Sequence, residues 1–199
     1  MNRKIGMFSS AVNLAAVLGF AASMLAGFDA GNYFCSMFIA FSFVTMMCAY
    51  AHFAATPRRA AGLSAAAFAA MYAVIVLLVY FAQLTEVRLG RLTGQAAAMV
   101  DFQQFGLFFS YDLLGYALMS LATFFAGLAI DARLKADKWL KALLLLHGIF
   151  FISCLIMPLL GLFQADSPSW IGIAVLEFWC LYFSPISILS FVHFSRCRG

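Results

Sequence analysis

Three ionisable residues lie inside long apolar stretches of this sequence: Asp112, Glu177 and His147. On insertion scales, a charged side chain at the centre of a bilayer costs about 2.5–3.5 kcal/mol, so such residues usually face the interior of a helix bundle or a water-filled cavity. Carboxylates in that position hold ions or substrates, or act as acid and base in catalysis. The alternative is that they form only hydrogen bonds that lock helices together. The elements that carry these residues decide what each can do.

The composition is that of a membrane protein. Of 199 residues, 65% are hydrophobic and 10% are charged, and the mean hydropathy is +0.99, against roughly half apolar and a quarter charged in soluble domains. Six runs are continuously apolar and reach the roughly 20 residues that a spanning helix needs. The predicted fold is therefore all-α, a single polytopic domain of six transmembrane helices. The predicted spans are 8–28, 33–53, 60–84, 105–130, 139–163 and 170–194.

Basic residues mark one side of the predicted bundle. All but two of the twelve Lys and Arg residues flank the same ends of the spans; the exceptions, Arg88 and Arg91, follow the third span. The positive-inside rule then places both termini in the cytoplasm. We expect the first run to be a retained helix rather than a cleaved signal peptide. Because the basic residues are scattered, the net charge of +4 does not indicate nucleic-acid binding.

In this topology Asp112 and Glu177 lie at the same depth. Each is seven residues from the outer start of its predicted span, which at about 1.5 Å per residue is roughly 10 Å below the outer surface. His147 lies roughly 12 Å above the inner end of the fifth span, below the two acids. We therefore predict that Asp112 and Glu177 face one cavity in the outer half of the bundle.

Small and polar residues extend from each acid along one helix face, as expected for helices that face a bundle interior. Tyr80 and Gln83, near the outer end of the third span, complete the predicted cavity. The candidate ligand-binding residues are Asp112, Glu177, Tyr116, Tyr80, Gln83, Ser120 and His147. They predict a membrane protein that binds or transports a small solute or ion through an outward-facing polar cavity.

Two alternatives to that function remain open. One is a structural or regulatory membrane subunit, in which the buried acids are packing groups and His147 donates to a backbone carbonyl. The other is an intramembrane enzyme that uses Asp112 or Glu177 as acid and base. The sequence contains no GxSxG, HExxH or phosphate-binding glycine loop, which disfavours an enzyme. Its five cysteines form no CxxC pair or zinc spacing, so neither a disulfide framework nor a metal site is predicted, and no pattern specifies a cofactor.

Small residues recur at every fourth position in two spans. They are Ala15, Gly19, Ser23 and Gly27 in the first span, and Ala61, Ala65, Ala69 and Ala73 in the third. This spacing favours close packing within the bundle, or contact with a partner membrane protein or a second copy. Pro158 and Pro185 predict kinks in the fifth and sixth spans. The loop Thr85–Gln104 is either a short amphipathic helix on the outer leaflet or an ordinary loop.

Three stretches of the sequence resemble small bacterial six-span integral membrane proteins of unassigned function. They are Val79-Tyr80-Phe81-Ala82-Gln83-Leu84-Thr85, Tyr111-Asp112-Leu113-Leu114-Gly115-Tyr116 and Leu176-Glu177-Phe178-Trp179. The resemblance implies a six-helix fold in a bacterial cytoplasmic membrane, but no activity. In size and helix count the chain is also similar to the substrate-binding subunits of energy-coupling-factor transporters, which bind a ligand from the outer side. The ligand-binding loop signature of that family is absent here.

Overall fold

The structure, a computed structural model, describes residues 1–161 and 169–197, and most of these residues are helical. The eight α-helices there are α1 Asn2–Leu25, α2 Asp29–Phe53, α3 Arg59–Ala82, α4 Gly94–Val100, α5 Leu107–Ala129, α6 Lys135–His147, α7 Phe150–Leu159 and α8 Ser169–Arg196. Two 3₁₀ turns, Thr56–Arg58 and Phe102–Gln104, and a π-helical turn, Gln83–Val87, extend or connect them. The α4 helix lies within the loop for which the sequence left a short helix open.

Six stretches of these helices are long and apolar enough to cross a membrane. They are Asn2–Leu25, Asp29–Phe53, Thr56–Val87, Leu107–Ala129, Lys135–Leu159 and Gly172–Arg196. This confirms the predicted all-α bundle of six transmembrane helices. Large apolar side chains such as Phe34, Leu78 and Leu181 are 56%, 66% and 74% exposed, and lipid is the environment that covers so much apolar surface. The protein is therefore a multi-pass membrane protein.

The spanning helices pack in a closed ring. The α1 helix packs against α8 and α2, α2 against α3, α3 against α5, α5 against α6 and α7, and α6 against α8. Ala65, Ala69 and Ala73 of the third span are buried, so most of its small-residue face packs inside the bundle. Ala15 and Gly27 of the first span are exposed, so the prediction that its small residues all pack inside the bundle was wrong. We call the end that carries the loop between α3 and α5 the outer end, following the predicted topology, and the opposite end the inner end.

The fifth span is interrupted where the sequence gives no proline. The α6 helix ends at His147 and α7 begins at Phe150, and the intervening N–H groups of Gly148 and Ile149 each bind a carbonyl three residues back at 3.1 Å. Gly148 is needed here, because a Cβ atom would lie 2.9 Å from the ring of Phe124 on α5. Pro158 lies near the end of α7. A bend at Pro185, which lies inside α8, stays a prediction.

The core of the inner half is closed by hydrogen-bonded polar side chains. Asn13 on α1 donates through Nδ2 to the Ser42 hydroxyl on α2 and accepts through Oδ1 from the Ser187 hydroxyl on α8, both at 2.9 Å. The Tyr50 hydroxyl on α2 donates to Ser190 on α8 at 2.6 Å. Buried polar groups that are satisfied in this way fix the register of neighbouring helices, so the inner half holds α1, α2 and α8 in one arrangement.

Candidate functional site

Asp112 lies at a close contact between α3 and α5. Gly115, three residues along from Asp112, lets the helices approach, since a Cβ atom there would lie 2.7 Å from a methyl group of Val76. The Tyr80 hydroxyl on α3 donates to Oδ2 of Asp112 at 3.2 Å and lies 3.3 Å from the Tyr116 hydroxyl. Because Tyr80 has one proton to donate and gives it to the carboxylate, Tyr116 is the donor to Tyr80. Two tyrosine hydroxyls in series therefore hold the carboxylate.

Asp112 is buried and only half satisfied. Asp112 is 3% exposed. Its Oδ1 atom has no hydrogen-bond partner in the part of the chain that the structure describes. The hydroxyl of Tyr72, fully buried on α3, also lacks a partner there. We call Tyr72, Tyr80, Asp112 and Tyr116 the Asp112 cluster. In native proteins nearly every buried polar atom is paired, so two unpaired oxygens within one cluster need an explanation.

No described basic side chain balances the charge of Asp112. Arg88 donates through Nε to the Leu84 carbonyl at 3.1 Å, and Arg91 forms an ion pair with Glu86 at 3.3 Å. These are the two basic residues that the sequence places at the outer end. An ionised carboxylate in an apolar interior is strongly destabilising without a counter-charge. A ligand or a proton must supply the balance.

Two aromatic rings, those of Tyr33 and Phe102, pack against the Tyr80 ring of the Asp112 cluster. Tyr33 on α2 stacks on Tyr80 with ring centroids 5.6 Å apart, and Phe102 from the loop packs against both rings at 6.1 and 6.3 Å. Asp112 and Tyr80 are themselves buried. In this conformation the Tyr33 and Phe102 rings thus cover the Tyr80 side of the cluster.

Gln83 fixes the loop that carries Phe102. Its Nε2 atom donates to the Val100 carbonyl at 2.7 Å, and its Oε1 atom accepts from the backbone N–H of Phe102 at 3.0 Å. The sequence grouped Gln83 with residues that line a cavity, but the structure uses both polar ends of its side chain to hold the loop backbone. Gln83 therefore positions the cover of the cluster.

Glu177 lies apart from the hydrogen-bond network of Asp112. It is half-buried on α8, and its buried Oε1 atom has no partner among residues 1–161 and 169–197. Within the same residues, no hydrogen bond joins it to Asp112 or to either tyrosine of the network. The shared cavity of the two acids stays a prediction. Ser120 donates to the Tyr116 carbonyl of its own helix at 2.9 Å, which satisfies its hydroxyl proton.

His147 joins three helices through both ring nitrogens. The indole N–H of Trp179 on α8 donates to Nε2 at 3.1 Å, and Nδ1 lies 2.9 Å from the Thr123 hydroxyl on α5. Because indole nitrogen can only donate, Nε2 is the acceptor and Nδ1 carries the proton, which it donates to Thr123. The Thr123 hydroxyl then donates to the Ser120 carbonyl at 2.9 Å. This ring is fully partnered, as a structural role requires.

An Asp–His pair at the inner end was missed from the sequence. His193 on α8 lies with Nδ1 2.9 Å from Oδ1 of Asp137 on α6, and the two side chains are 15% and 10% exposed. His193 also lines the pocket of about 220 Å³ at this end, together with Tyr50, Phe53, Ala54, Ala129, Ile130, Asp131 and Cys197. His193 was not among the candidate residues predicted from the sequence. Asp137 stands among basic residues in a loop-to-helix junction, where no local pattern distinguishes it from an exposed acid.

The loop between α5 and α6 is pinned to the inner end by ion pairs. Asp131 binds Arg133 at 2.8 Å and Arg58, from the turn before α3, at 3.1 Å. Hydrogen bonds from Arg133 and Arg58 hold the pKa of the Asp131 carboxyl below its usual range. Arg58 also donates to the Ile130 carbonyl at 3.0 Å. These contacts connect the second-to-third and fourth-to-fifth linkers on one side of the bundle.

Together, the fold and the buried acid define a multi-pass, all-α membrane protein with one incompletely satisfied polar cluster near its outer end. No family model matches the chain, and comparisons with curated proteins and with solved structures found no match.

Proposed function

We propose that the protein binds or transports a small solute or ion at the Asp112 cluster, reached from the outer end of the bundle. The observation that carries this proposal is the Oδ1 atom of Asp112, which is buried inside a spanning helix and has no described partner. Ionisable residues in such positions are costly and mark ion or substrate pathways. A purely structural carboxylate gains nothing from an oxygen left without a donor.

The contacts at the outer end define how a ligand reaches the site. The rings of Tyr33 and Phe102 cover Tyr80 on the loop side of the cluster, so entry from the outer end requires the loop to move. The contacts of Gln83 with Val100 and Phe102 are the hydrogen bonds that such a movement breaks. The loop is therefore the outer gate of the proposed site.

A structural or regulatory subunit is the second candidate function. It is favoured by the inner half, where Asn13, Tyr50 and His147 are all hydrogen-bonded across helices. A bundle of this kind can serve as a rigid partner for another membrane protein. The Asp112 cluster distinguishes the two functions, because a structural subunit does not need its unpaired oxygens.

The proposed function is tested by ligand-dependent stability. The purified protein is heated in detergent with sodium, potassium, ammonium or choline chloride at constant ionic strength and at several pH values. A ligand at 100 times its dissociation constant stabilises the folded state by about 2.7 kcal/mol, so one condition should raise Tm in the wild type and fail to do so in Asp112→Asn. Asp29→Asn, the same change at an exposed acid, should respond like the wild type.

Two results would overturn the proposal in favour of a packing role. One is an equal response of wild type and Asp112→Asn to every salt and pH. The other is an Asp112→Asn variant that is as stable as the wild type while neither protein responds to any condition. The second result means that the carboxylate charge has no ligand to bind.

We further propose that the protein resides in a bacterial cytoplasmic membrane with both termini inside, as the basic residues and the resemblance to small bacterial six-span proteins indicate. A fluorescent-protein fusion that matures only in the cytoplasm should be bright at either terminus. An alkaline phosphatase fusion, active only outside, should be inactive at both. An active phosphatase at either terminus contradicts this orientation.

A further inference from the structure

We propose that the ion held by the Asp112 cluster is a proton, bound at Oδ1 of Asp112 while the Tyr80 and Tyr116 hydroxyls hold the other side of the carboxyl group. This inference rests on the proposed function and names the ion for the same site. It follows from the charge of the cluster, from its size and from the direction of its hydrogen bonds.

The negative charge of the cluster is balanced by a ligand that carries one positive charge. Its ligand atoms are one carboxylate and the three hydroxyls of Tyr72, Tyr80 and Tyr116. Divalent cations in proteins take roughly six to eight oxygen ligands, usually with several carboxylates, or keep much of their water shell. A neutral or anionic solute would leave the carboxylate uncompensated. A single monovalent cation balances it.

The size of the cluster favours the smallest such cation. Asp112, Tyr72 and Tyr80 are 3%, 0% and 3% exposed. An alkali ion entering this space must replace its hydration shell with several protein oxygens at once. A proton needs one lone pair and no additional volume, and Oδ1 of Asp112 offers a free one.

The hydrogen bonds determine which oxygen takes the proton. Tyr80 donates to Oδ2 and Tyr116 donates to Tyr80, so both hydroxyls keep their own protons, and Oδ1 is the carboxylate oxygen left to accept one. Binding forms one O–H bond and turns the carboxylate into a neutral acid; release breaks that bond and restores the carboxylate. The acid then has a donor at Oδ1; the buried Tyr72 hydroxyl on α3 also lacks a described partner, and the two atoms are not hydrogen-bonded to each other in this conformation.

The other groups facing Asp112 do not compete for that proton. Among the residues that the structure describes, the titratable groups that interact with it are Tyr33 on α2, Tyr72 and Tyr80 on α3, Tyr116 on α5 and Cys154 on α7. All are phenols or a thiol, which are neutral at physiological pH in water and carry no positive charge in any state. The carboxyl of Asp112 is the group in this set that changes charge by ordinary acid–base exchange.

Infrared spectroscopy of the reconstituted protein tests the proton directly. The C=O stretch of a protonated carboxylic acid is separate from that of a carboxylate and shifts in heavy water. We expect a band of this kind in the wild type at neutral pH, its loss in Asp112→Asn and its retention in Glu177→Gln. Tyr80→Phe removes the hydroxyl that binds Oδ2 and should shift the band, whereas Tyr111→Phe, at an exposed tyrosine next to Asp112 on α5, should not.

The outcomes separate this inference from the proposed function. In one outcome, the wild type shows no acid band, and a sodium, potassium or ammonium salt stabilises the wild type but not Asp112→Asn. The bound ion is then that cation. The inference that the ion is a proton is wrong, and the proposed function stands. If the band is present, is lost in Asp112→Asn and is unchanged by the salts, the proton is supported. Should Asp112→Asn fail to fold, Tyr80→Phe decides: a band that does not move places the proton elsewhere.

Discussion

Replacing Gln83 by leucine should open the loop over the Asp112 cluster. The change keeps an apolar chain of similar length but removes both hydrogen bonds to the loop, of 2.7 Å to the Val100 carbonyl and of 3.0 Å from the Phe102 N–H. At about 1 kcal/mol each, their loss weakens closure by about 2 kcal/mol. Since 1.4 kcal/mol is a factor of ten, the open fraction should rise about 30-fold.

The fraction of molecules with an open loop can be measured by hydrogen exchange and mass spectrometry of the peptide that covers residues 94–106. Amides that exchange only in the open loop, including that of Phe102, should exchange about 30-fold faster in Gln83→Leu. Gln104→Leu removes an exposed glutamine of the same loop and should leave the rate near that of the wild type. If Gln83→Leu exchanges at the wild-type rate, Gln83 does not hold the gate.

Three further predictions concern the helices and the inner end. His147→Ala should lower the unfolding free energy by about 3 kcal/mol in denaturant titrations, because it removes two buried hydrogen bonds and leaves a cavity, whereas the exposed His52→Ala should change it by less than about 0.5 kcal/mol. Gly115→Ala should cost about 1–3 kcal/mol by overpacking a methyl group 2.7 Å away, while Gly172→Ala, with open space around it, should be neutral or stabilising. Because hydrogen bonds lower the folded-state pKa of Asp131, its contribution to stability is present above the ordinary value of 3.8 and is lost as the pH falls through the lowered value. Asp131→Asn should therefore flatten the acid side of a Tm-against-pH curve, and an unchanged acid side contradicts this.

The spans could be predicted because each is a long apolar run, and length and hydropathy alone decide whether a helix crosses a bilayer. The interruption of the fifth span could not be predicted, because a single glycine is tolerated within a helix. The need for Gly148 follows only from its contact with the ring of Phe124, which is known from the structure. Position along the spans also gave one right neighbour for Asp112: Tyr80, which was grouped with it as a residue near the outer end of the third span, is its hydrogen-bond donor.

The roles of other side chains depend on the rotation and depth of helices that are far apart in sequence. Gln83 was grouped with the cluster by its position on α3, but its amide binds a loop whose path no periodic pattern predicts. The partner of His193 is Asp137, 56 residues away. One sequence contains no signal for such a pairing, because both side chains sit at helix ends where charged residues are ordinary.

The distribution of polar links locates the part of the bundle that can move. The seam between α6 and α8 is closed at three levels, by Trp179 with His147, by the Tyr182 hydroxyl with the Leu143 carbonyl at 2.7 Å, and by the pair at the inner end. Beyond the interruption, α7 contains no buried residue and packs mainly against α5. Few buried contacts imply a low cost of local opening. In the proposed binding cycle at Asp112, α7 and the outer loop can therefore move while the inner seam stays closed, which would keep the two sides of the membrane separated when the proposed outer gate opens.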